Sequence, residues 1–534
     1  MNVRGRLIAF LAALMVSALT ASAASAAPGE LDHSFGTNGI AEFPGFPSEE
    51  VSDMAVQGDG KIVLAGTVLL PAPNFRDTYV ARLVPQGAFD SSYGSGTGFS
   101  DINLGDPDQG GGLILLPDGR IQVSGATTTT GPGGGRRFVL AQLLNPQGTF
   151  DPAFGGGTGR IVDRYNILGT SGDADASLDA ARQGSNTIIA GFSDPAGATA
   201  ANFAVARISP EGVQDSSFGG GSGVSYADFF GGDDVGRAVA VQPDGKIVVV
   251  GVAGPGSAGG FIGVARFNSN GGLDSSFNGG GMATVQGSGE ALAIQPDGKV
   301  VVAGTSGGDF IIARFNENGS LDSGFGSGGR AFIDFGAPLD VANDLALQPD
   351  GKILVAGSGP QFDVARLQPN GALDSTFGNG GKAQVAFDDG PEADALALQP
   401  DGNIVVAGSG FNNGRYLAVA RLQGDPPGKV SGKCAGKKAT IVGTSGKDKL
   451  KGTKKKDVVS AGKGKDTVRG LKGNDLICGG KGKDKLLGGP GKDKLLGQQG
   501  NDKLFGGPGK DKLKGGPGKK DKLKGGPGKD SEKP

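Results

Sequence analysis

Several residue types are scarce or missing in this chain of 534 residues, and each absence narrows its possible functions. Tryptophan is absent and His33 is the only histidine, which argues against a tryptophan-lined sugar platform and a histidine-based catalytic site. No apolar run after residue 26 approaches the roughly 20 residues that a membrane-spanning helix needs. No stretch keeps the 3.6-residue apolar period of an amphipathic helix. We therefore expect an all-β protein without histidine-centred chemistry.

The first 26 residues have the pattern of a secretory signal peptide. Arg4 and Arg6 precede an apolar run over residues 7–19, and small residues follow up to Ala26. A positive start, a short apolar core and small-residue cleavage sites are typical of an export signal, and the run is too short for a retained anchor. We expect cleavage near Ala26 and a secreted or cell-surface protein.

Charge divides the chain into two parts at Cys434. From that residue onward 27 Lys and Arg accompany 11 Asp and Glu, whereas the preceding part has 25 basic and 43 acidic residues. Such asymmetry indicates two modules with different surroundings. Both cysteines, Cys434 and Cys478, lie in the basic module, and in an exported chain the simplest interpretation of such a pair is a disulfide. Metal-binding thiolates are the alternative, although no histidine or further cysteine is there to complete a site.

One pattern occurs seven times between residues 27 and 422. Each copy starts near Leu-Asp-x-Ser-Phe-Gly, continues with a segment near Gln-Pro-Asp-Gly-Lys and ends near Val-Ala-Arg-Leu; the third copy is degenerate, with Gly184-Ser185-Asn186 at the Asp-Gly turn. In the sixth copy an Asp350-Gly351 hairpin turn separates the second and third strand-like segments. The four strand-like segments of this copy are residues 330–335, 342–348, 353–356 and 362–367. Seven four-stranded units predict a seven-bladed β-propeller.

The three markers resemble the delta-60 repeat family of bacterial propeller-like domains over residues 31–422, which implies the propeller and leaves the function undefined. Polar residues that recur in every copy are more often turn or blade-joining elements than sites, because Asp and Ser in turns bond nearby backbone amides. We expect the repeated aspartates to be structural and to pair with the Val-Ala-Arg-Leu arginines. The alternative is a ring of carboxylates around the channel that binds a cation. The series is Asp32, Asp90, Asp151, Asp215, Asp274, Asp322 and Asp374.

No catalytic constellation is found in the propeller sequence. His33 occupies the variable position of its hexapeptide and is expected to face solvent, and the glycine-rich stretches lack the frame of a phosphate loop. A binding or scaffold protein is therefore favoured, and a secreted hydrolase or lyase that uses the channel is the alternative. Unrepeated polar residues along the channel would favour the enzyme, and seven-fold equivalent lining would favour the scaffold.

In residues 434–534 an aspartate recurs every nine residues, with a one-residue shift near the end. The positions are Asp448, Asp457, Asp466, Asp475, Asp484, Asp493, Asp502, Asp511, Asp521 and Asp530. Glycines precede most of them, and an apolar residue stands two positions later from Leu450 to Leu523. This is the nonapeptide G-G-x-G-x-D-x-U-x of a calcium-binding parallel β-helix. Carboxylates and backbone carbonyls are the ligands that calcium prefers, and so narrow an apolar stripe is buried only when repeats stack.

The repeats are similar to the hemolysin-type calcium-binding family, the repeats-in-toxin β-roll. That resemblance implies two nonapeptides per coil and calcium between the turns on one side. The ligands it implies are Asp448, Asp466, Asp475, Asp484, Asp493, Asp502, Asp511, Asp530, Gly479, Gly480, Gly482, Gly488, Gly489, Gly491, Gly506, Gly507 and Gly509. Asp457 and Asp521 are left out, because Lys455 replaces a turn glycine and an extra lysine interrupts the second frame. We expect fraying at Asp530, where Glu532 stands at the apolar position.

Lysine flanks nearly every aspartate of this module, as Lys483 and Lys485 flank Asp484. Stacked about 4.8 Å apart, two lysines repel by about 0.9 kcal/mol even in water, which weakens calcium binding unless they point outward. The rows are either a solvated surface or a binding site for an anionic cell-surface polymer. Specific nucleic-acid recognition is not expected, since Phe505 is the only aromatic residue of the module. A further alternative is a tail that has lost calcium affinity and acts only as a basic adhesive segment.

These observations predict four parts: a signal peptide (1–26), a propeller (27–422), a linker (423–433) and a β-roll, or parallel β-helix (434–534). Calcium is the expected cofactor. The expected role is binding, adhesion or structural support at the cell surface or in the matrix.

Overall fold

The computed structural model describes residues 27–70, 75–102, 108–129, 135–163, 176–193, 200–254, 260–359, 361–387, 390–411, 415–425, 433–443, 446–518 and 520–533. The predicted signal peptide lies outside these residues. The chain is all-β, with a seven-bladed propeller followed by a parallel solenoid of about five turns over residues 441–533. Three short 3-10 turns lie between described propeller strands, at Gly94–Gly96, Gly155–Gly157 and Phe218–Gly221. No helix in the described part of the chain has the length and apolar character to cross a membrane.

Each propeller blade is a four-stranded antiparallel sheet. The strands are β1 (Ile40–Phe43), β2 (Ser48–Val56), β3 (Ile62–Leu70), β4 (Phe75–Leu83), β5 (Phe99–Ile102), β6 (Asp108–Leu115), β7 (Ile121–Thr129), β8 (Gly135–Leu143), β9 (Arg160–Asp163), β10 (Ala176–Gln183), β11 (Asn186–Ser193), β12 (Asn202–Ile208), β13 (Val224–Ala227), β14 (Val235–Val241), β15 (Ile247–Ala253), β16 (Phe261–Phe267), β17 (Met282–Gln286), β18 (Ser288–Ile294), β19 (Val300–Ser306), β20 (Asp309–Phe315), β21 (Arg330–Ile333), β22 (Val341–Leu347), β23 (Ile353–Ser358), β24 (Phe362–Leu367), β25 (Lys382–Val385), β26 (Glu392–Leu398), β27 (Ile404–Phe411) and β28 (Arg415–Leu422).

The last blade is completed by the first strand of the chain. Its strand order is β1-β28-β27-β26, with Ile40 opposite Ala420. The sequence repeat is therefore offset from the blade by one strand. In the sixth copy the segment predicted as the first strand is β21, which pairs with β20 as the outermost strand of the preceding blade. The ring is thus closed by hydrogen bonds between its two ends.

The composition of a propeller strand follows its position in the blade. The second and third strands of a blade are near-continuous apolar runs, such as Ile-Val-Val-Val-Gly-Val-Ala in β15, because neighbouring sheets cover both of their faces. The first strands lie beside one another and surround the channel. Each first strand has a bulge, where the register shifts by one or two residues. The core is therefore a ring of apolar layers between blades.

The repeated propeller aspartates are structural, as predicted, and in most copies the aspartate pairs with an arginine that reaches the next blade. Asp274 accepts a 2.8 Å bond from the guanidinium of Arg266, which also lies over the ring of Phe277 at 4.7 Å and donates to the Glu317 carbonyl of the next blade. The same pairing occurs at Arg82–Asp90, Arg207–Asp215, Arg314–Asp322, Arg366–Asp374 and Arg421–Asp32. In the second copy Gln142 and Arg120 contact Asp151 instead. The alternative of a cation-binding ring fails for this series, since protein cations already neutralise it.

The solenoid is built from short parallel strands in two sheets, preceded by the hairpin β29–β30. Its strands are β29 (Lys433–Cys434), β30 (Lys437–Lys438), β31 (Ile441–Val442), β32 (Lys449–Lys451), β33 (Val458–Lys463), β34 (Thr467–Arg469), β35 (Leu476–Lys481), β36 (Lys485–Leu487), β37 (Lys494–Gln499), β38 (Lys503–Phe505), β39 (Lys512–Lys514), β40 (Lys522–Lys524) and β41 (Ser531–Lys533). Val459 lies opposite Ile477, so one coil takes two nonapeptides. The predicted apolar stripe is the buried core between the two sheets.

Candidate metal centre

The solenoid aspartates form a ladder along the coil axis. Oδ1 of Asp484 accepts the backbone N–H of Asp466 at 2.9 Å, and Oδ1 of Asp502 accepts that of Asp484 at 2.9 Å. Equivalent bonds connect the series from Asp448 to Asp530 in two interleaved rows. One carboxylate oxygen of each acceptor aspartate therefore holds the adjacent coil in register.

The second carboxylate oxygen has no hydrogen-bond partner over most of the ladder. The buried Oδ2 atoms without one belong to Asp466, Asp475, Asp484, Asp493, Asp502, Asp511 and Asp521. A buried, unsatisfied carboxylate oxygen is costly, so a whole row of them fits a ligand held at the turns. Carboxylate and carbonyl oxygens without any nitrogen or sulfur suit calcium better than a softer metal.

The turn glycines make this arrangement possible. The Cα of Gly479 packs against Asp484 Oδ2, where an added β-carbon would lie 2.7 Å from that oxygen. Gly507, at φ +105°, packs on the Gly489 carbonyl of the preceding coil, 2.5 Å from the position of a β-carbon. Gly488 and Gly506 likewise pack against an aspartate Oδ2. The glycines that pack on a carbonyl of the preceding coil are Gly480, Gly482, Gly491 and Gly509. The glycines thus place bare backbone beside the unpaired oxygens.

Burial raises the pKa of the ladder carboxyls. It raises the pKa of Asp466 and Asp493 to about 7 and that of Asp484 to about 6, with the charge of neighbouring aspartates acting in the same direction. The pKa values of Asp475, Asp502 and Asp511 are raised for the same reasons. A bound divalent cation would favour the ionised form, which burial alone disfavours.

Asp457 and Asp521 belong to the ladder although the sequence pattern left them out. Asp457 donates its N–H to Asp475 Oδ1 at 2.8 Å, and Asp521 Oδ1 accepts from Asp502 at 2.8 Å. The coil that contains Lys520 is one residue longer, and pairing resumes with Lys503 opposite Lys522. Counting the spacing as 19 residues would have found Asp521. The expected fraying at Asp530 is limited, since β41 still pairs with β39 while its side chains are exposed.

The lysines beside the aspartates point away from the ladder. Lys485, Lys503 and Lys522 are exposed and lie opposite one another on one sheet, and Lys494 and Lys512 do so on the other. The aspartates beside four of them are buried, and Asp521 beside Lys522 is half-buried. Because these lysines point outward, they leave the unpaired Oδ2 atoms accessible to a cation.

Two protein families match the chain. The description "Domain of unknown function (DUF5122) beta-propeller" applies to residues 57–93, 116–154, 242–277, 295–325, 348–377 and 399–425. The description "RTX calcium-binding nonapeptide repeat" applies to residues 442–477, 452–486 and 487–519. The chain is a DUF5122-type propeller followed by RTX repeats. Among the seven copies, the degenerate third is the one whose turn segment, around Gly184, lies outside the matches. Both predicted resemblances are confirmed.

Solved structures resemble this chain at low identity and with low TM-scores. An unknown-function protein from Dyadobacter fermentans is 12% identical, covers 74% of this chain and 97% of its own, and has a TM-score of 0.34. Virginiamycin B lyase from Staphylococcus aureus is 8% identical with 71% and 98% coverage and a TM-score of 0.38. A glucose dehydrogenase is 10% identical with 72% and 99% coverage and a TM-score of 0.34. A comparison with curated proteins gives no significant match.

The RTX repeats are attached to the hairpin β29–β30 by a disulfide. Cys434 and Cys478 are bonded, with their Cα atoms 5.6 Å apart, and both side chains are buried against Leu476. The bond closes a separation of 44 residues, which stabilises the folded module by about 4 kcal/mol on the chain-entropy model. The prediction of a disulfide is confirmed, and the thiolate alternative is wrong.

Acidic side chains line the propeller channel unequally. Asp53, Asp179 and Asp344 occupy matching places on β2, β10 and β22, and the matching residues of the other blades are not acidic. Each uses one oxygen for its own blade and the other for the next blade, as Asp53 Oδ2 accepts the Leu113 N–H at 2.6 Å. Burial raises the pKa of Asp53 to about 6 and that of Asp344 to about 8. The lining is not seven-fold equivalent, yet these carboxylates are engaged by backbone donors.

His33 is exposed, as predicted from its place in the hexapeptide.

Proposed function

We propose that this is an exported calcium-binding protein in which calcium consolidates the RTX repeats. The repeats then provide a rigid, lysine-rich module beside a non-catalytic propeller at the cell surface or in the matrix. The row of buried Oδ2 atoms without partners is the observation that carries the proposal. The N-terminal pattern and the RTX repeats, which are typical of secreted proteins, support export.

The ladder aspartates would hold the ions through Oδ2, and the glycine turns would add backbone carbonyls. Bound calcium would supply positive charge between the stacked ladder carboxylates, from which the neighbouring lysines point away. Because the Oδ1 ladder already sets the register, the ion acts on a preformed arrangement. Burial of the apolar stripe and neutralisation of the carboxylates are then coupled.

Hydrogen exchange of the full chain, with calcium and with chelator, tests this proposal. We expect calcium to slow exchange in peptides from residues 446–518 and to leave β5, β9 and β13, the outer strands of the first three blades, unchanged as an internal reference. A triple Asp→Asn variant at Asp475, Asp484 and Asp493 keeps the Oδ1 acceptors and should lose most of the effect. A matched variant changes the exposed neighbours Lys465, Lys483 and Lys492 to Gln and should keep it. Equal exchange with and without calcium in the unmodified chain would refute the proposal.

A second function is favoured by the alignment of exposed lysines across the RTX strands. Lys485, Lys503 and Lys522 make one continuous basic row, whose spacing suits an extended anionic polymer better than a compact anion. The acidic propeller would not compete for such a polymer. We propose that this row binds anionic wall or capsule material.

Retention of the calcium-loaded chain on teichoic acid at low and high salt tests the lysine row. We expect retention that falls steeply with salt, and a marked loss when Lys485, Lys503 and Lys522 are changed to Gln. The same number of changes at Lys454, Lys455 and Lys456, which lie outside the strands, is the control. Retention that is insensitive to salt, or equal loss in both variants, would count against a row-specific site.

A further inference from the structure

Three aspartates meet between the fifth and sixth propeller blades. Asp309 opens β20, Asp334 follows β21 and Asp340 precedes β22. One carboxylate oxygen from each lies within 4.8 Å of those of the other two. Asp334 is exposed, Asp309 is half-buried and Asp340 is fully buried, so the cluster reaches from the surface into the blade interface.

The innermost carboxylate of the cluster is only half satisfied. Asp340 is 0% exposed, and its Oδ2 accepts the Phe335 N–H at 2.6 Å. Its Oδ1 is buried and has no hydrogen-bond partner. A buried carboxylate with an unpaired oxygen costs free energy unless a cation or donor meets it.

A second buried carboxylate has an unpaired oxygen at the same place. Asp363 on β24 is 0% exposed; Gln384 donates to its Oδ1 at 2.8 Å, and its Oδ2 has no partner. Asp363 Oδ2 and Asp340 Oδ1 both crowd the position that a β-carbon on Gly359 would take. Two unpaired carboxylate oxygens therefore face the same spot behind the three-aspartate cluster.

The fourth blade shows what the equivalent position does without such a cluster. Asp234 stands before β14 as Asp340 stands before β22, and both of its oxygens are used. Its Oδ2 accepts the Phe229 N–H at 2.8 Å and its Oδ1 accepts the Gly254 N–H at 2.9 Å. The residue that corresponds to Gly254 in the sixth copy is Pro360, and proline has no amide hydrogen. Asp340 has therefore lost a donor that Asp234 keeps.

Neighbouring residues also differ between the two places. Asp309 corresponds to Asn202 and Asp334 corresponds to Asp228. Beside Asp234 the third carboxylate is Asp233 instead, whose Oδ1 accepts the Ala201 N–H at 3.1 Å and is thus engaged by the backbone. The amine of Lys382 contacts the Asp334 carbonyl and lies over the Phe335 ring at 5.3 Å. Excess negative charge with oxygen-only donors is the environment that a hard divalent cation requires.

We propose that Asp309, Asp334 and Asp340 bind a calcium ion at the junction of the fifth and sixth propeller blades, with the unpaired oxygen of Asp363 behind it. The ion replaces the amide donor lost at Pro360 and ties the β19–β20 hairpin to the segment that enters β22. We expect magnesium to bind this site more weakly than calcium, because a cluster of carboxylates suits the larger ion and magnesium keeps more of its waters. The site is separate from the RTX repeats and does not depend on their calcium.

The test compares Asp340→Asn with Asp234→Asn in the full chain. Hydrogen exchange of residues 307–315 and 334–343 is followed as calcium, then magnesium, is raised through the range on the order of 10⁻⁴ to 10⁻³ M that is typical of extracellular sites. We expect calcium to slow exchange there in the unmodified chain and in Asp234→Asn, and to have no effect there in Asp340→Asn. The RTX peptides serve as an internal reference in all three proteins.

A second variant keeps the test decisive if Asp340→Asn fails to fold. Asp309→Asn alters the half-buried member of the cluster and should weaken the local calcium response at least several-fold. The rival explanation is that Asp340 and Asp363 share a proton. In that case a fall from pH 8 to pH 5 would protect these segments without metal and calcium would not, which would overturn the proposal. Unchanged exchange under both conditions would also overturn it.

Discussion

Aspartate recurs with a fixed period in both modules, but the two modules balance its charge in opposite ways. Propeller Asp274 has an arginine at 2.8 Å and a lysine at 3.1 Å, all within the chain. RTX Asp484 is as well buried, yet its Oδ2 has no partner and its lysine neighbours point outward. Period alone therefore does not separate structural from ligand-binding carboxylates. A structural carboxylate is distinguished by an arginine or lysine that recurs with the same period and pairs with it.

This difference explains why the repeated carboxylates of the propeller need no ligand. The propeller satisfies its repeated carboxylates by arginine, which also packs on an aromatic ring and reaches the next blade. The RTX repeats leave one oxygen unsatisfied on each of seven ladder aspartates, so part of their folding free energy is expected to come from calcium. Conditions that remove protons or ions should affect the two modules differently.

Changing pH without calcium should give the largest contrast, because six ladder carboxyls respond together. Their pKa values are raised from 3.8, to about 7 for Asp466 and Asp493, so the folded form holds more protons between those values. The calcium-free RTX module should therefore lose stability as pH rises from 4 to 7. Thermal unfolding in chelator at pH 5 and pH 8 measures this. The Asp→Asn variant at Asp475, Asp484 and Asp493 should show a smaller pH effect, and an equal effect would contradict the assignment.

The propeller pairs should respond in the opposite direction. Lys299 and Arg314 lower the pKa of Asp322 to about 2; at Asp274 burial opposes the shift, but bonds from Ser276 and Lys246 and the charge of Arg266 lower the pKa to about 2. The stability that these pairs contribute is complete above pH 3.8 and is lost as pH falls toward 2.

Removing one propeller cation should be the next largest effect. Arg266→Gln leaves Asp274 buried with a weaker partner and should destabilise the propeller by about 3–5 kcal/mol. Arg237 pairs with Glu290 at 2.8 Å but is 44% exposed, so Arg237→Gln should cost less than about 1 kcal/mol. Denaturant unfolding followed by circular dichroism compares them. Equal losses would mean that burial of the pair is unimportant.

Replacing a single ladder aspartate should have a smaller effect whose sign depends on calcium. Asp484→Asn keeps the Oδ1 acceptor and removes a buried charge, so it should stabilise the calcium-free module and lower calcium affinity roughly tenfold. Asp274→Asn should destabilise the propeller with or without calcium, by about 1.5–3 kcal/mol. Calorimetric titration and thermal unfolding provide the two readouts. A loss of RTX stability in chelator would show that the carboxylate is structural there as well.

Most of the fold was accessible from the sequence because it repeats. Seven copies of three markers predicted the blades, and the nine-residue period predicted the coil with its apolar stripe from Leu450 to Leu523. The Arg–Asp pairing followed from two markers that each recur once per blade. The one-strand offset did not follow, since a single copy reads equally well with either blade boundary.

Site residues were harder to predict from the sequence where the contact that defines them does not repeat. Asp521 escaped because its frame has one extra residue that the turn absorbs. Asp340 escaped because its unpaired oxygen faces Asp363, which comes from another strand. Such contacts join residues far apart in sequence and occur once, so no internal repetition draws attention to them.

Neutralising one stacked lysine should have the smallest effect. It also tests whether binding of calcium and binding of an anionic polymer to the RTX module are coupled. Lys503 is exposed between Lys485 and Lys522 in the lysine row. Lys503→Gln removes one positive charge that repels the nearby ion, so it should raise calcium affinity by a few-fold at most, and salt should reduce the gain. Lys454→Gln removes the same charge outside the strands and should change the affinity less, as calorimetric titration can measure. Equal gains would make net charge the cause. If the row is the cause, a polyanion that neutralises it must tighten calcium binding, and calcium must tighten polyanion binding by the same factor.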